Sequence, residues 1–380
     1  MRLAVPKEIV PGEKRVALVP EVIPQLTRLG HTVAVQSGAG TPAGFTDDAY
    51  RTAGAEVTPD ASATLAGAQM ILKVQRPEAS EMSSLAAGSV LIGLLQPAGD
   101  PAIFGELARA DVTAMSMELV PRTTRAQMMD ALSSQSTVAG YKAVLLAANA
   151  LQKFFPMLMT AAGTVRPARV LVIGAGVAGL QAIATARRIG AVVEAFDTRP
   201  VVKEQVQSLG ATFIDLNLGQ HDAQDAGGYA RELAEEHIRK EKEAIHDHAK
   251  NADVVITTAL VPGRKAPLLV TAETVESMKP GSVIVDLAGE QGGNCELTSP
   301  GESVERHGVT IIAPVNIASD LAYHSSQMYA KNLAALIALL TKDGNLNLDM
   351  NDDIIAAVTV TSGGAVVNQN IKAKLNGAAA

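Results

Sequence analysis

The chain reads as an α/β protein made of two Rossmann-like domains with mostly parallel sheets, joined by long helices around a cleft. Three observations predict this. Short Val/Ile/Leu-rich runs alternate with helix-like segments through most of the sequence, the pattern of βα units around a parallel sheet. The alternation occurs as two series separated by a long apolar stretch without turn signals. Finally, 380 residues exceed what one ordinary core serves and suit two domains of roughly 150–200 residues each.

In the first series, strand-like runs fall at 2–5, 32–36, 70–74, 89–94 and 112–117, with a helix over 20–29 that ends at Gly30, a residue suited to a helix C-terminus. The second begins at Arg169 with VLVIGAG and continues through AVVEAFD, ATFIDL, ADVVITTAL, GSVIVDLAG and GVTIIAPV. A helix over 137–153 connects the halves, and 325–341 (SSQMYAKNLAALIALLT) is its counterpart. After it, 354–360 (IIAAVTV) reads as one more strand. The expected domains are therefore 1–136 plus 325–380, discontinuous, and 137–324. The charged stretch 219–250 is long for an α/β connection.

Apolar residues at 47% and charged residues at 19% exclude a disordered or fibrous polymer. A net charge of −7 opposes a broad nucleic-acid footprint. Cys295, the one cysteine, allows no intrachain disulfide and no cysteine metal cage, which suits a reducing compartment. The start, MRLAVPKE, has no secretory pattern. The best apolar stretch, 143–165, is broken by Asn149, Gln152, Lys153 and Pro156, so no direct membrane insertion is expected. His246 and His248 lack a third ligand and read as a solvated helix end, and no metal site is expected. Cys295, after Gly292-Gly-Asn, reads as a small packing residue, and Met128 and Met129 as core.

Gly174-Ala-Gly176-Val177-Ala-Gly179 sits directly after one strand-like run and directly before a helix-like one. In that context the first glycine makes the tight turn, the second admits a pyrophosphate, and the third lets helix and strand pack closely. The helix N-terminus then offers N–H groups to phosphate. Asp197, 18 positions beyond Gly179, is placed to accept ribose hydroxyls and to disfavour a 2′-phosphate, so NAD(H) is expected over NADP(H), although Arg187, Arg188 and Arg199 are near in sequence. Ligands of open α/β sheets bind outside the carboxyl ends of the strands, so the nicotinamide is expected in the cleft. The segment before the connecting helix holds Arg122, Gln127, Asp130 and Ser133, donors and acceptors suited to a carboxamide. A second reading stands beside that one: Thr124 and Gln127 have capping-box spacing, and Gln127, Asp130 and Ser133 would share a solvated helix face.

The segments PRTTRAQMMDALSSQS, TAAGTVRPARVLVIGAGVAGLQAIATARRIGA, AGGYA, TTALVPGRKAP and VDLAGEQGGNCELT resemble the NAD(H)-binding component, domain I, of proton-translocating nicotinamide nucleotide transhydrogenase. Alanine dehydrogenase is a more distant relative with the same two-domain fold. The resemblance implies that Arg122, Gln127, Asp130 and Ser133 hold the nicotinamide and carry catalysis. It also implies that Gly174, Gly176, Val177, Gly179 and Asp197 hold pyrophosphate and ribose, with Ala259 and Leu260 beside the nucleotide. Gly227-Gly228-Tyr229-Ala230 matches a mobile loop whose tyrosine closes over the nucleotide. The implied partners are NADP(H)-binding and membrane-spanning subunits and a second copy of the chain. That places the chain in the cytoplasm, at the inner membrane only through those partners. Hydride passing directly between two nicotinamides requires no general base, whereas oxidation of an amine or alcohol also releases a proton. Alanine dehydrogenase has a lysine and a histidine in segments that here read Ile71-Leu-Lys73-Val-Gln-Arg-Pro77 and Gly93-Leu-Leu-Gln96-Pro97. Lys73 is kept, and Gln96 stands where the histidine is expected, a departure that argues against the alternative of an NAD-dependent amino-acid dehydrogenase.

Overall fold

Leu3, Ala4 and Val5 are fully buried because β1 (Arg2–Val5) lies inside a sheet covered on both faces, the environment that a near-continuous apolar strand requires. It is joined by β2 (Thr32–Gln36), β3 (Glu56–Thr58), β4 (Met70–Gln75), β5 (Val90–Leu94) and β6 (Thr113–Ser116). The order is β3-β2-β1-β4-β5-β6, parallel throughout, so the topology reverses between β1 and β4. The computed structural model describes residues 1–215, 235–260 and 264–377. They form two units, Met1–Gln135 with Ala318–Ala380, and Ser136–Ile317.

In the second unit a hairpin of β7 (Leu158–Thr160) and β8 (Gly163–Val165) stands apart from the main sheet. That sheet contains β9 (Arg169–Ile173), β10 (Val192–Phe196), β11 (Thr212–Phe213), β12 (Val254–Thr257), β13 (Val283–Asp286), β14 (Ser303–Arg306) and β15 (Val309–Ile312). Its order is β11-β10-β9-β12-β13-β15-β14, parallel except for β14 against β15, and it reverses between β9 and β12. The fold class is therefore two Rossmann-like α/β units, one all-parallel and one mixed.

Three expected elements differ in the structure. The connecting helix runs Ala131–Ala150, starting earlier than 137 because Asp130 caps it through Ser133. The return helix is Ala322–Leu339. Residues 354–360 are not a strand: Asp352 Oδ1 accepts from Ile354 N (2.9 Å) and Ile355 N (3.2 Å) and starts the helix Asp353–Val358. A short apolar run has no decisive period, and this helix buries Ile354, Ile355 and Val358 on one stripe. Among the described residues no helix is long and apolar enough to cross a membrane.

Candidate dinucleotide-binding site

The glycine turn lies at the carboxyl end of β9, beside the reversal point. Gly174 has φ +96°, a left-handed conformation that a side chain strains, and a Cβ there would lie 2.6 Å from Thr258 Oγ1. A Cβ at Gly179 would lie 1.8 Å from the carbonyl oxygen of Gly174, so only glycine allows the helix Val177–Arg188 to pack this closely on its strand. Around Gly176 the space is open, with nothing within 4 Å of where a Cβ would be. Gly176 is also the N-cap of that helix and offers no capping side chain. An open floor at an uncapped helix N-terminus fits a pyrophosphate by both shape and charge. Behind the turn, Gly140 of the connecting helix meets Ala178, where a Cβ would lie 2.0 Å from the Ala178 carbonyl oxygen.

Asp197 follows β10, and both of its oxygens are engaged. Oδ2 accepts from Ala175 N (2.7 Å) and Arg199 Nη2 (2.9 Å), while Oδ1 accepts from Arg199 N (2.8 Å) and Nε (2.9 Å). The bonds from Asp197 raise the Arg199 guanidinium above its ordinary value. Glu241 is a second buried acid here, pushed up to about 7 by burial and then by the charge of Asp197.

The third wall is the turn after β12. Thr258 Oγ1 donates to the Gly174 carbonyl (3.0 Å), and Asn294 binds Ala259 on both sides, accepting from its N–H (3.0 Å) and donating to its carbonyl (2.9 Å). Asn294 also donates to Pro267 O at 2.8 Å, and Leu260 remains partly exposed beyond this brace. Asn294 is in turn held by Asp286, whose carboxylate accepts from Thr257 Oγ1, the N–H groups of Ala288, Asn294 and Cys295, and Thr298 Oγ1, at 2.7–3.0 Å. Sequence reasoning did not single out Asn294 or Asp286. The signal was the double glycine before Asn294, since Gly292 (φ +98°) and Gly293 (φ +78°) bend the chain back onto β13.

Residues 122–133 belong to the other unit. Arg122 and Gln127 are exposed, Asp130 and Ser133 half-buried. Gln127–Met129 forms a 3-10 turn and the α-helix begins only at Ala131, so Gln127, Asp130 and Ser133 do not share one α-helical face. Asp130 is the cap, accepting from Ser133 N (2.9 Å) and Ser133 Oγ (2.6 Å). The turn is pinned from beneath: Ala126 and Met129 are buried, and Asn332 of the return helix donates to Met128 O (2.8 Å). On the outer side Arg125 grips Asp352 with two bonds, 2.6 and 2.9 Å, and also pairs with Asp353. Of the methionines expected in the core, only Met129 is there; Met128 is 76% exposed, because the 3-10 turn points successive side chains apart. Sequence reasoning also passed over Arg125, Asn332 and Asp352.

Lys73, only 1% exposed, stands on β4 in the first unit. Its ammonium donates to Glu81 Oε1 (2.6 Å) and pairs with Glu8 Oε2 (3.4 Å). Beside it Glu13 binds Arg15 at 2.6–2.8 Å and accepts from Gln75 Nε2 at 2.8 Å. Gln96 is exposed and left-handed (φ +54°), its N–H donating to Glu118 Oε1 (2.8 Å).

Cys295 is buried, and burial pushes its thiol up to about 11. His246 Nδ1 lies 3.2 Å from Thr274 Oγ1 and His248 Nδ1 2.8 Å from Glu194 Oε2. Among the described residues no group of three His, Cys, Asp or Glu could hold a metal ion. Tyr229 and its neighbours Gly227, Gly228 and Ala230 lie outside the described residues.

Two Rossmann-like units, one carrying a complete glycine turn with an acid at the end of the next strand, define an α/β protein of the dinucleotide-binding class. The family models for the N-terminal and C-terminal domains of alanine dehydrogenase/PNT match residues 4–139 and 143–369. The first part of NAD(P) transhydrogenase subunit alpha of Rhodospirillum rubrum is 47% identical over 376 residues, covering 97% of this chain and 98% of that one. The crystal structure of transhydrogenase from Sinorhizobium meliloti matches with a TM-score of 0.85 and 44% identity, over 97% of this chain and 100% of that one. Alanine dehydrogenase of Halomonas elongata is further away, 32% identical over 371 residues, 96% of this chain and 94% of that one. The chain belongs to the alanine dehydrogenase/PNT family and stands on its transhydrogenase alpha-subunit side. It is a subunit of an oxidoreductase, and the family implies NAD(H) binding.

Proposed function

We propose that the chain binds NADH and presents its nicotinamide to NADP⁺ held on a partner subunit, hydride passing directly between the rings while membrane-spanning subunits couple the transfer to proton movement. The observation that carries the NAD(H) part is the open floor at Gly176 on an uncapped helix N-terminus, with Asp197 at the end of the next strand. When bound, NADH supplies the hydride. Val177 and the glycine turn receive the pyrophosphate, Asp197 the ribose, and Ala259 and Leu260 flank the nucleotide. Arg122, Gln127, Asp130 and Ser133 orient the carboxamide on a turn whose pinning by Asn332 and Arg125 fixes its geometry. Orientation is the whole task of these residues, because a hydride moving alone leaves no proton for a base to collect. Lys73, locked between Glu8 and Glu81, supports the same reading over amino-acid oxidation.

The proposed partners are an NADP(H)-binding subunit, a membrane-spanning subunit and a second copy of this chain. The hairpin β7–β8 and its lead-in expose Phe154, Met157, Met159 and Val165, an apolar group of the kind that pairs subunits. The chain would then lie in the cytoplasm, held to the inner membrane through its partners. Two experiments test the reading. Gln127→Asn is expected to lower the hydride-transfer rate in a reconstituted complex about a hundredfold with NADH affinity little changed, a positioning effect; unchanged turnover overturns the assignment. Met159→Glu combined with Phe154→Ser is expected to shift sedimentation from dimer to monomer, and an unaltered dimer places the interface elsewhere.

A further inference from the structure

The guanidinium of Arg199 is the cation best placed to receive a 2′-phosphate, since nucleotides carrying that group are accommodated by an arginine near the acid that follows the second strand. In this chain it is already spent. Nε and Nη2 donate to the two oxygens of Asp197, and the Arg199 N–H donates to the same carboxylate. With Ala175 N, four donors meet the roughly four lone-pair sites that a carboxylate offers. Asp197 and Arg199 have side chains only 6% and 15% exposed, so their pairing is not diluted by water as a surface pair would be. Arg187 lies over Gly210 and donates to Ala191 O at 3.3 Å.

We propose that Arg199 is a latent 2′-phosphate site held shut by Asp197, so that the acid selects NAD(H) by its own charge and also by occupying the guanidinium beside it that would favour NADP(H). This rests on the NAD(H) reading above and extends it: discrimination belongs to the pair. Ribose binding exchanges guanidinium bonds on Asp197 for hydroxyl bonds, whereas a 2′-phosphate meets a carboxylate and finds its cation taken. Removing the acid alone therefore does two things at once: it lifts a repulsion and releases an arginine.

The test is calorimetric titration of the full chain with NADH and with NADPH, in the native protein, Asp197→Asn, Arg199→Gln and the double variant. Asp197→Ser is carried in parallel, and thermal unfolding confirms that each is folded. The native chain is expected to prefer NADH. Asp197→Asn is expected to bind NADPH about tenfold more tightly than the native chain does, the gain of one charge-assisted contact to phosphate. In Asp197→Asn with Arg199→Gln that gain is expected to vanish, and Arg199→Gln alone is expected to gain no NADPH affinity. A gain that survives in the double variant, or no gain in either Asp197 variant, overturns the proposal while leaving NADH binding by the native chain intact. A native chain that binds no NADH would instead sink the underlying reading.

Discussion

Gly176 and Gly179 stand three residues apart in one turn, yet the space around them differs completely. Gly179 is required by packing, because a methyl group there would penetrate the Gly174 carbonyl. Gly176 has extended dihedrals that any residue adopts and open space above it, so the fold itself does not require a glycine there. Gly179→Ala is therefore expected to cost about 3 kcal/mol, read as a fall in Tm, whereas Gly176→Ala should keep Tm within a few degrees and weaken NADH binding about tenfold. A Gly179→Ala variant with the native Tm would contradict this. Asn294 is the other decisive residue. Asn294→Ala leaves the N–H and carbonyl of Ala259 and the carbonyl of Pro267 without their partner, a loss of about 2 kcal/mol that denaturant unfolding would register.

The elements show how the 122–133 turn is built. A 3-10 turn meets the α-helix Ala131–Ala150 at Asp130, whose backbone N–H closes the one while its side chain starts the other. Arg125 ties this turn to Asp352, which also caps the helix Asp353–Val358, so a single carboxylate serves two elements. Its bonds with Arg125, first of all, hold the Asp352 carboxyl down at about 2. Asp352→Ala is expected to cost about 1 kcal/mol through the lost cap and to release Arg125. The measurable consequence is a lower hydride-transfer rate, with NADH affinity less affected than the rate; a rate equal to the native one would show that the anchor does not matter. None of this was readable from pattern. Asp352 is 227 residues from Arg125, and no spacing rule spans that distance.

At the scale of the whole molecule, the pH dependence of stability includes two neighbouring acids that shift in opposite directions. Glu8 is raised from 4.5 to about 7, mainly by burial against the opposing charge of Lys73. Its contribution is complete below 4.5 and is lost as pH rises through 7. Burial alone would raise Glu13 too, but the bonds and charge of Arg15 outweigh it and hold Glu13 at about 2, so its contribution is present above 4.5 and lost as pH falls through 2. Glu8→Gln, which keeps an acceptor for Val74 N, is expected to flatten the fall in Tm between pH 5 and pH 8; an unaltered slope would assign that fall to other groups. Both Rossmann-like units were legible along the chain, because a strand buried on two faces must be apolar almost throughout and leaves an unmistakable run. The glycine turn was legible for a similarly local reason, since the close approach at Gly174 and Gly179 permits no other residue. Local pattern misled where a short apolar run had no period, as at 354–360, and where two methionines looked alike until the 3-10 turn buried one and exposed the other. Only the tertiary structure decided which charges are spent. That Asp197 holds Arg199, that Glu8 and Glu81 hold Lys73, and that Asn294 braces Ala259 are pairings made by folding, and the energy of a buried polar group depends on which partner it meets rather than on its place in the chain.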